Sequence, residues 1–301
     1  MSDRARETTH SAAGKHSKQL GIAFGINLGL FVAVVVGGLL AGSLALLADA
    51  GHMMVDTVAI GLSLAAVYFA RRSPTPRRSF GYYRLEILAA VISGVLLFGV
   101  GIAVLVGAVL RLIDPSTLSS GLMLIFGIVA LVGNGFAAWL LLSGQKDSLT
   151  MRAAFLDFLA DALGALAVVI AAIVIEATGV HQADAIASIV IALLILPRTW
   201  KLLGKTVNVL LEATPEGVDL GEVRRHILET DGVAGCHDLH AWTITSGMNV
   251  LSVHVILQPN GDGPQVLRRL GDCLADHFDI EHSTFQLEPT THLEHERAVH
   301  H

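Results

Sequence analysis

Two short stretches carry the residues best suited to chemistry. Ala48-Asp49-Ala50-Gly51-His52-Met53-Met54-Val55-Asp56 sets His52 four residues before Asp56, and Phe155-Leu156-Asp157-Phe158-Leu159-Ala160-Asp161 sets Asp157 four before Asp161. On an α-helix this spacing stacks both side chains of a pair on one face, one turn apart. One imidazole and three carboxylates make a four-ligand shell for a divalent transition metal. Asp49 shares the face of His52 and Asp56 at i, i+3 and i+7. It lies nearer the outer end of its segment and reads as a mouth or helix-packing residue.

Both pairs lie inside long apolar segments. Apolar residues make up 53% of the 301 residues and charged residues 15%, against about 25% charged in a soluble domain. Mean hydropathy is +0.63. The chain therefore reads as a polytopic membrane protein, with six apolar stretches at about 20–41, 44–69, 85–110, 119–142, 151–176 and 182–203. A charge near the bilayer centre costs about 2.5–3.5 kcal/mol on the mildest scale. Two such pairs in separate, antiparallel spans point to a shared ligand rather than to isolated helix–helix hydrogen bonds. Asn27, Ser63, Glu86, Ser93 and Asn134 read as structural polar residues, and the frequent glycines as sites of close helix approach. Asp184, at the start of the sixth stretch, is placed to act near a helix N-terminus.

Basic residues set the orientation. Arg4, Arg6, Lys15 and Lys18 precede the first span; Arg71, Arg72, Arg77 and Arg78 follow the second. Lys146 and Arg152 lie between the fourth and fifth, and Arg198, Lys201 and Lys205 mark the end of the sixth. The alternate loops hold little basic charge beyond Arg111, which places both termini in the cytoplasm. Met1 to Lys18 shows no short apolar core with a cleavage site, so the first span is expected to serve as the targeting signal.

After Lys205 the composition changes. Gly217 to Thr230 and Pro264 to Phe278 read as amphipathic helices; Cys236 to Thr245, Asn249 to Gln258 and Ser283 to Glu288 read as strands, the first two joined by a Ser246-Gly247 turn. The order αββαβ implies a small α+β domain with helices on one face of a sheet. His254 alternates with Val253 and Val255, so its side chain leaves the face those two occupy. Cys236 and Cys273 form no C-x-x-C pair, so neither a disulfide framework nor a thiol metal site is expected. The full division is an N-terminal tail (1–19), a six-helix membrane domain (20–207), a cytoplasmic domain (208–290) and a His-containing tail (291–301) that reads as disordered.

Ser43-Leu-Ala-Leu-Leu-Ala-Asp-Ala-Gly-His-Met-Met-Val-Asp56 resembles the second-span signature of the cation diffusion facilitators, a family of zinc and divalent-metal transporters. Phe80-Gly-Tyr-Tyr-Arg-Leu-Glu-Ile-Leu88, Leu210-Leu-Glu-Ala-Thr-Pro-Glu-Gly217, His237-Asp-Leu-His-Ala-Trp242 and His282-Ser-Thr-Phe-Gln-Leu-Glu288 extend the resemblance from about residue 18 to 290. It implies a homodimer of six-span protomers in the inner membrane of a bacterial cell, with a metallochaperone-like cytoplasmic domain. It further implies Zn²⁺ efflux driven by protons as counter-ion, through His52, Asp56, Asp157 and Asp161. Zinc-selective members often carry His where this chain has Asp157, so Cd²⁺, Co²⁺, Fe²⁺ and Mn²⁺ join the expected substrates. Tyr82 replaces a usual His of a second site in the loop after span two, which is therefore expected to be absent. Arg84 and Glu212 match an interlocking charge pair near the dimer interface of a relative. In the cytoplasmic domain the resemblance implies a regulatory Zn²⁺ held by His237 or His240 with His254, His282 and Glu288; Gln286 stands where a relative has a ligating His.

Metal binding requires a neutral His52 and ionised carboxylates, so metal and protons compete for one site. A helix bundle rocking about that site would then exchange one for the other across the bilayer. Mn²⁺ or Fe²⁺ efflux is the alternative within this class. A metal sensor would leave the intramembrane pairs without a task. An intramembrane hydrolase built on Asp157 and Asp161, or on His52, lacks an H-E-x-x-H motif. No enzymatic activity and no nucleic-acid partner are expected; the partners are the bilayer, a second copy of the chain and divalent transition metals.

Overall fold

A chain crossing a bilayer must satisfy every backbone polar group within itself, and an apolar segment does so by becoming a helix. The computed structural model describes residues 3–70, 72–115, 117–144 and 149–291; Arg71, Lys146 and the tail from 292 to 301 lie outside the described residues. Six long helices come first: α1 (Asp3–Ala41), α2 (Leu44–Ala70), α3 (Leu85–Ile113), α4 (Ser120–Leu141), α5 (Leu149–Thr178) and α6 (Gln182–Leu210). Each contains a stretch long and apolar enough to span a membrane, and in α1 that stretch begins at Gly21. Polar residues 3–18 extend α1 ahead of it. The chain is a multi-pass membrane protein.

Within the unit formed by residues 1–61 and 92–202, small side chains point inward and large ones outward. Ala45, Ala130, Ala165, Ala172 and Ala192 are buried with Val34, Leu46, Met123 and Val168, while Leu39, Trp139 and Leu194 face outward. Lipid tails are as apolar as leucine, so close packing of small residues is what holds such helices together. Gly51 shows it beside His52: a Cβ there would lie 2.7 Å from Val100 Cγ1, so any larger residue must push Val100 aside at the α2–α3 contact.

The start of α2 is built by a residue far away in sequence. Gly42, at φ +68°, makes the sharp exit from α1. Asp184 then accepts hydrogen bonds from Ser43 Oγ (2.6 Å), Leu44 N (2.8 Å) and Ala45 N (3.2 Å). Arg111 Nη1 donates to both Asp184 Oδ2 (3.2 Å) and Gly42 O (2.7 Å). Asp184 thus acts at a helix N-terminus, that of α2, where a carboxylate complements the unpaired N–H groups.

The second unit comprises residues 62–91 and 203–301. Its C-terminal part runs α7 (Leu220–Leu228), β1 (Val233–Thr245), β2 (Met248–Leu257), α8 (Gly263–Phe278) and β3 (His282–Glu288), the expected αββαβ order. Asp219 and Asp262 cap α7 and α8 by accepting from Gly221 N and Gln265 N. β2 is central, antiparallel to β1 and parallel to β3. Leu251, Val253 and Val255 pack with Val223, Ile227, Val266, Leu270 and Leu274 of the helices. Strand alternation therefore sends His254 and its register partners His237 and Gln286 to the opposite face.

Arg84 pairs with Glu212 at 2.7 Å, as the resemblance implies. Glu86, read from sequence as a structural polar residue of the third span, accepts from the hydroxyls of Thr245 and Ser246 at the β1–β2 turn.

Candidate metal centres

α2 and α5 bring three of the four membrane residues together around one imidazole. His52 Nδ1 lies 3.7 Å from Asp56 Oδ2, and His52 Nε2 lies 3.7 Å from Asp161 Oδ1. Two donors on one tetrahedral ion lie about 3.3–3.5 Å apart, so each separation is close to a shared-metal edge. A single ion can take only one nitrogen of the ring. The ring stands between the two carboxylates, and a small turn would direct one of its nitrogens, with Asp56 and Asp161, at a single ion. Asp157 opens on the same cavity of about 340 Å³ as Asp56 and Asp161, together with Asn27 and Phe158. Its carboxylate, however, is engaged by Arg198 of α6. Asp49 is buried one turn away, and its Oδ2 has no hydrogen-bond partner among the described residues.

Two functional neighbours were invisible as such in the sequence. Arg198 reads there as an orientation marker and Asn27 as a structural amide. Only the packing of α6 and α1 brings them to the aspartates.

A second group lies on the face of the small sheet turned away from α7 and α8. His237 of β1, His254 of β2 and Glu288 of β3 place one donor atom each within 4.8 Å of the others. Glu288 Oε2 is 3.1 Å from His237 Nε2, and Oε1 is 2.8 Å from His254 Nδ1. Glu288 is only 2% exposed. Burial would raise its pKa, but hydrogen bonds from His237 and Gln286, with the charges of His254 and His237, hold it below the ordinary glutamate value. Two imidazoles and a carboxylate fit Zn²⁺.

His240 and His282 are not brought to this group. A bulge separates His237 from His240 in β1, and His240 lines a cleft with Glu212, Trp242 and Ser252. His282 pairs in register with Val250, whereas Glu288 pairs with Ile256, nearer His254. His282 lies six positions along the strand from Glu288, about 20 Å, and its ring instead packs edge-on against Phe80. Tyr82, in the loop after α2, packs near Phe69 and under the Arg78 guanidinium.

A third group was not expected. His226 of α7 meets Cys273 and His277 of α8, again with one donor atom each within 4.8 Å of the others. Cys273, which carries no metal motif in the sequence, enters this group only through the pairing of the helices. Burial pushes the Cys273 thiol up, and the carboxylates of Asp276 and Glu229 push it further.

Known proteins share this organisation. Residues 20–211 match the cation efflux transmembrane domain and residues 215–290 the cation efflux protein cytoplasmic domain. The metal cation efflux system protein CzcD of Cupriavidus metallidurans is 44% identical over 93% of this chain and 89% of its own length. The zinc transporter ZitB of Escherichia coli is 39% identical over 93% and 90%, and the cadmium, cobalt and zinc/H(+)-K(+) antiporter of Bacillus subtilis 36% over 95% and 93%. A solved structure, the metal-bound C-terminal domain of the CzcD transporter, is 49% identical over 24% of this chain and 99% of its own, with a TM-score of 0.23. On the match to both domains and to these full-length relatives, the chain belongs to the cation diffusion facilitator family.

Proposed function

We propose that this protein exports Zn²⁺, with Cd²⁺ and Co²⁺ as further substrates, from the cytoplasm in exchange for protons. The observation that carries the reading is the convergence of His52 with Asp56 and Asp161 from two apolar helices, on a cavity also lined by Asp157. The names of the relatives support the same class of substrate. In this reading cytoplasmic metal displaces the proton from His52, the ring turns to present one nitrogen, and Asp157 leaves Arg198 to complete the shell. External protons then restore the His52–carboxylate contacts and release the metal on the far side. The transporter works as a homodimer in the inner membrane with both termini cytoplasmic; no covalent chemistry is assigned to it. The trio of His237, His254 and Glu288 would hold a regulatory Zn²⁺, acting on transport only if its affinity differs between the inward and outward states.

Metal-stimulated proton flux in proteoliposomes tests this, with Zn²⁺, Cd²⁺, Co²⁺, Fe²⁺ and Mn²⁺ on wild type, Asp157→Ala and Asp157→His. Zinc-driven flux should be lost in Asp157→Ala, and Asp157→His should narrow transport toward Zn²⁺. Mn²⁺ or Fe²⁺ as the best substrate would shift the assignment to the oxygen-loving ions. Proton flux indifferent to every metal would refute antiport and favour the sensor reading. Full activity in Asp157→Ala would remove Asp157 from the site.

A further inference from the structure

We propose that His226, Cys273 and His277 form a separate metal site on the helical side of the cytoplasmic domain, taking a thiolate- and imidazole-binding divalent ion such as Zn²⁺, Cd²⁺ or Co²⁺. Cys273 and His277 are four residues apart on α8 and so share a face. His226 comes to them from α7, with its Nδ1 3.5 Å from Cys273 Sγ and its ring centroid 5.1 Å from that of His277. A tetrahedral ion with one sulfur and one nitrogen ligand holds those atoms about 3.5 Å apart. The site therefore has the spacing of a metal edge before any ion arrives.

Three further features fit a cation. His277 Nδ1 lies 3.0 Å from the Cys273 carbonyl oxygen. Donation of that N–H fixes the tautomer and leaves the lone pair on Nε2, the usual backbone-oriented arrangement of a ligating histidine. His226 and His277 each occupy the last turn of their helix, where two sets of C-terminal carbonyls favour positive charge. The carboxylates of Asp276 and Glu229 add to it, since both act on the Cys273 thiol. One sulfur and two imidazoles select zinc-like ions over Mn²⁺, Mg²⁺ and Ca²⁺. This trio and that of His237, His254 and Glu288 sit on opposite sides of the sheet. An ion here would tie the end of α7 to the end of α8. The rival role for His226 is packing alone, since its ring also meets Phe278 edge-on at 5.2 Å.

Cobalt separates the two. The full-length protein in detergent is titrated with Co²⁺ while the thiolate-to-cobalt charge-transfer absorption is followed. Cys236 and Cys273 are the only cysteines, and Cys236 lies on the apolar face of β1, so Cys236→Ala serves as the control. We expect the band in wild type and Cys236→Ala, its loss in Cys273→Ser, and at least tenfold weaker Co²⁺ binding, read from the same band, in His226→Ala and His277→Ala. His277 is exposed, so its variant reports ligation apart from folding. Absence of the band in wild type, its survival in Cys273→Ser, or unchanged affinity in His277→Ala would each overturn the site.

Discussion

Glu288→Gln gives a quantitative test of the sheet-face metal group. The substitution keeps the size of a side chain that is only 2% exposed and removes a carboxylate that lies against both His237 and His254. Without metal it weakens charge-assisted contacts, each worth about 1.5–3 kcal/mol, so the metal-free variant should open more readily. With metal the comparison sharpens. A ligand present at 100 times its Kd stabilises the bound fold by about 2.7 kcal/mol, seen as about a 100-fold slowing of hydrogen exchange through openings that break the site. Loss of a supporting partner alone costs about 10- to 100-fold in metal affinity, and a direct ligand at least as much. At the same zinc concentration the variant should gain about 0.4–1.4 kcal/mol, or about 2- to 11-fold in protection. The assay is hydrogen exchange by mass spectrometry on peptides covering β2 (Met248–Leu257) in the full-length protein, with and without Zn²⁺. Each variant is compared with its own metal-free state, which cancels the first effect. A Cys273→Ser background removes the thiol of the helical group, so the gain is read from one site. Equal zinc protection with and without the carboxylate would refute the assignment of Glu288 as a ligand.

Arg198→Ala should free Asp157 from its ion pair. Both partners are at least half exposed, and such pairs are worth about 1 kcal/mol or less. The apparent Zn²⁺ affinity for transport should therefore rise by no more than about fivefold; a tenfold fall would show that Arg198 supports the site instead of competing for Asp157. Asp184→Ala leaves Arg111 without its acid and the start of α2 without its cap. The acid is buried and the guanidinium only partly so, and a charge left without its partner there is costly, so the variant should lose thermal stability in detergent, measured as a lower unfolding temperature than Ser43→Ala. Gly51→Ala puts a Cβ 2.7 Å from Val100 Cγ1, an overpacking cost of about 1–3 kcal/mol. Zinc flux should fall and should recover in the Gly51→Ala, Val100→Ala double variant; failure to recover would place the effect elsewhere.

Much of the architecture is local and therefore readable in one dimension. An apolar run with no polar escape must be helical in lipid, so the six spans are apparent from hydropathy. Alternation along β2 likewise tells that His254 leaves the core. The pairs His52/Asp56 and Asp157/Asp161 are visible because i,i+4 spacing and a hydrocarbon setting together make them costly. What alternation cannot tell is register. His282 and Glu288 lie on the same face of β3 by parity, yet only the pairing with β2 sets Glu288 beside Ile256 and His282 beside Val250.

Residue type and spacing alone thus determine the membrane class, the αββαβ order and the two i,i+4 pairs of ionisable residues in the spans. Tertiary packing decides which of those residues meet. It turns Asp157 toward Arg198, sends Asp184 to the start of α2 and closes His226 on Cys273 and His277. The reason is physical: helix and strand formation depend on neighbours a few positions away, whereas these contacts join groups tens to more than a hundred residues apart. They exist only once the packed interior has set the rotation of each helix and the pairing of each strand.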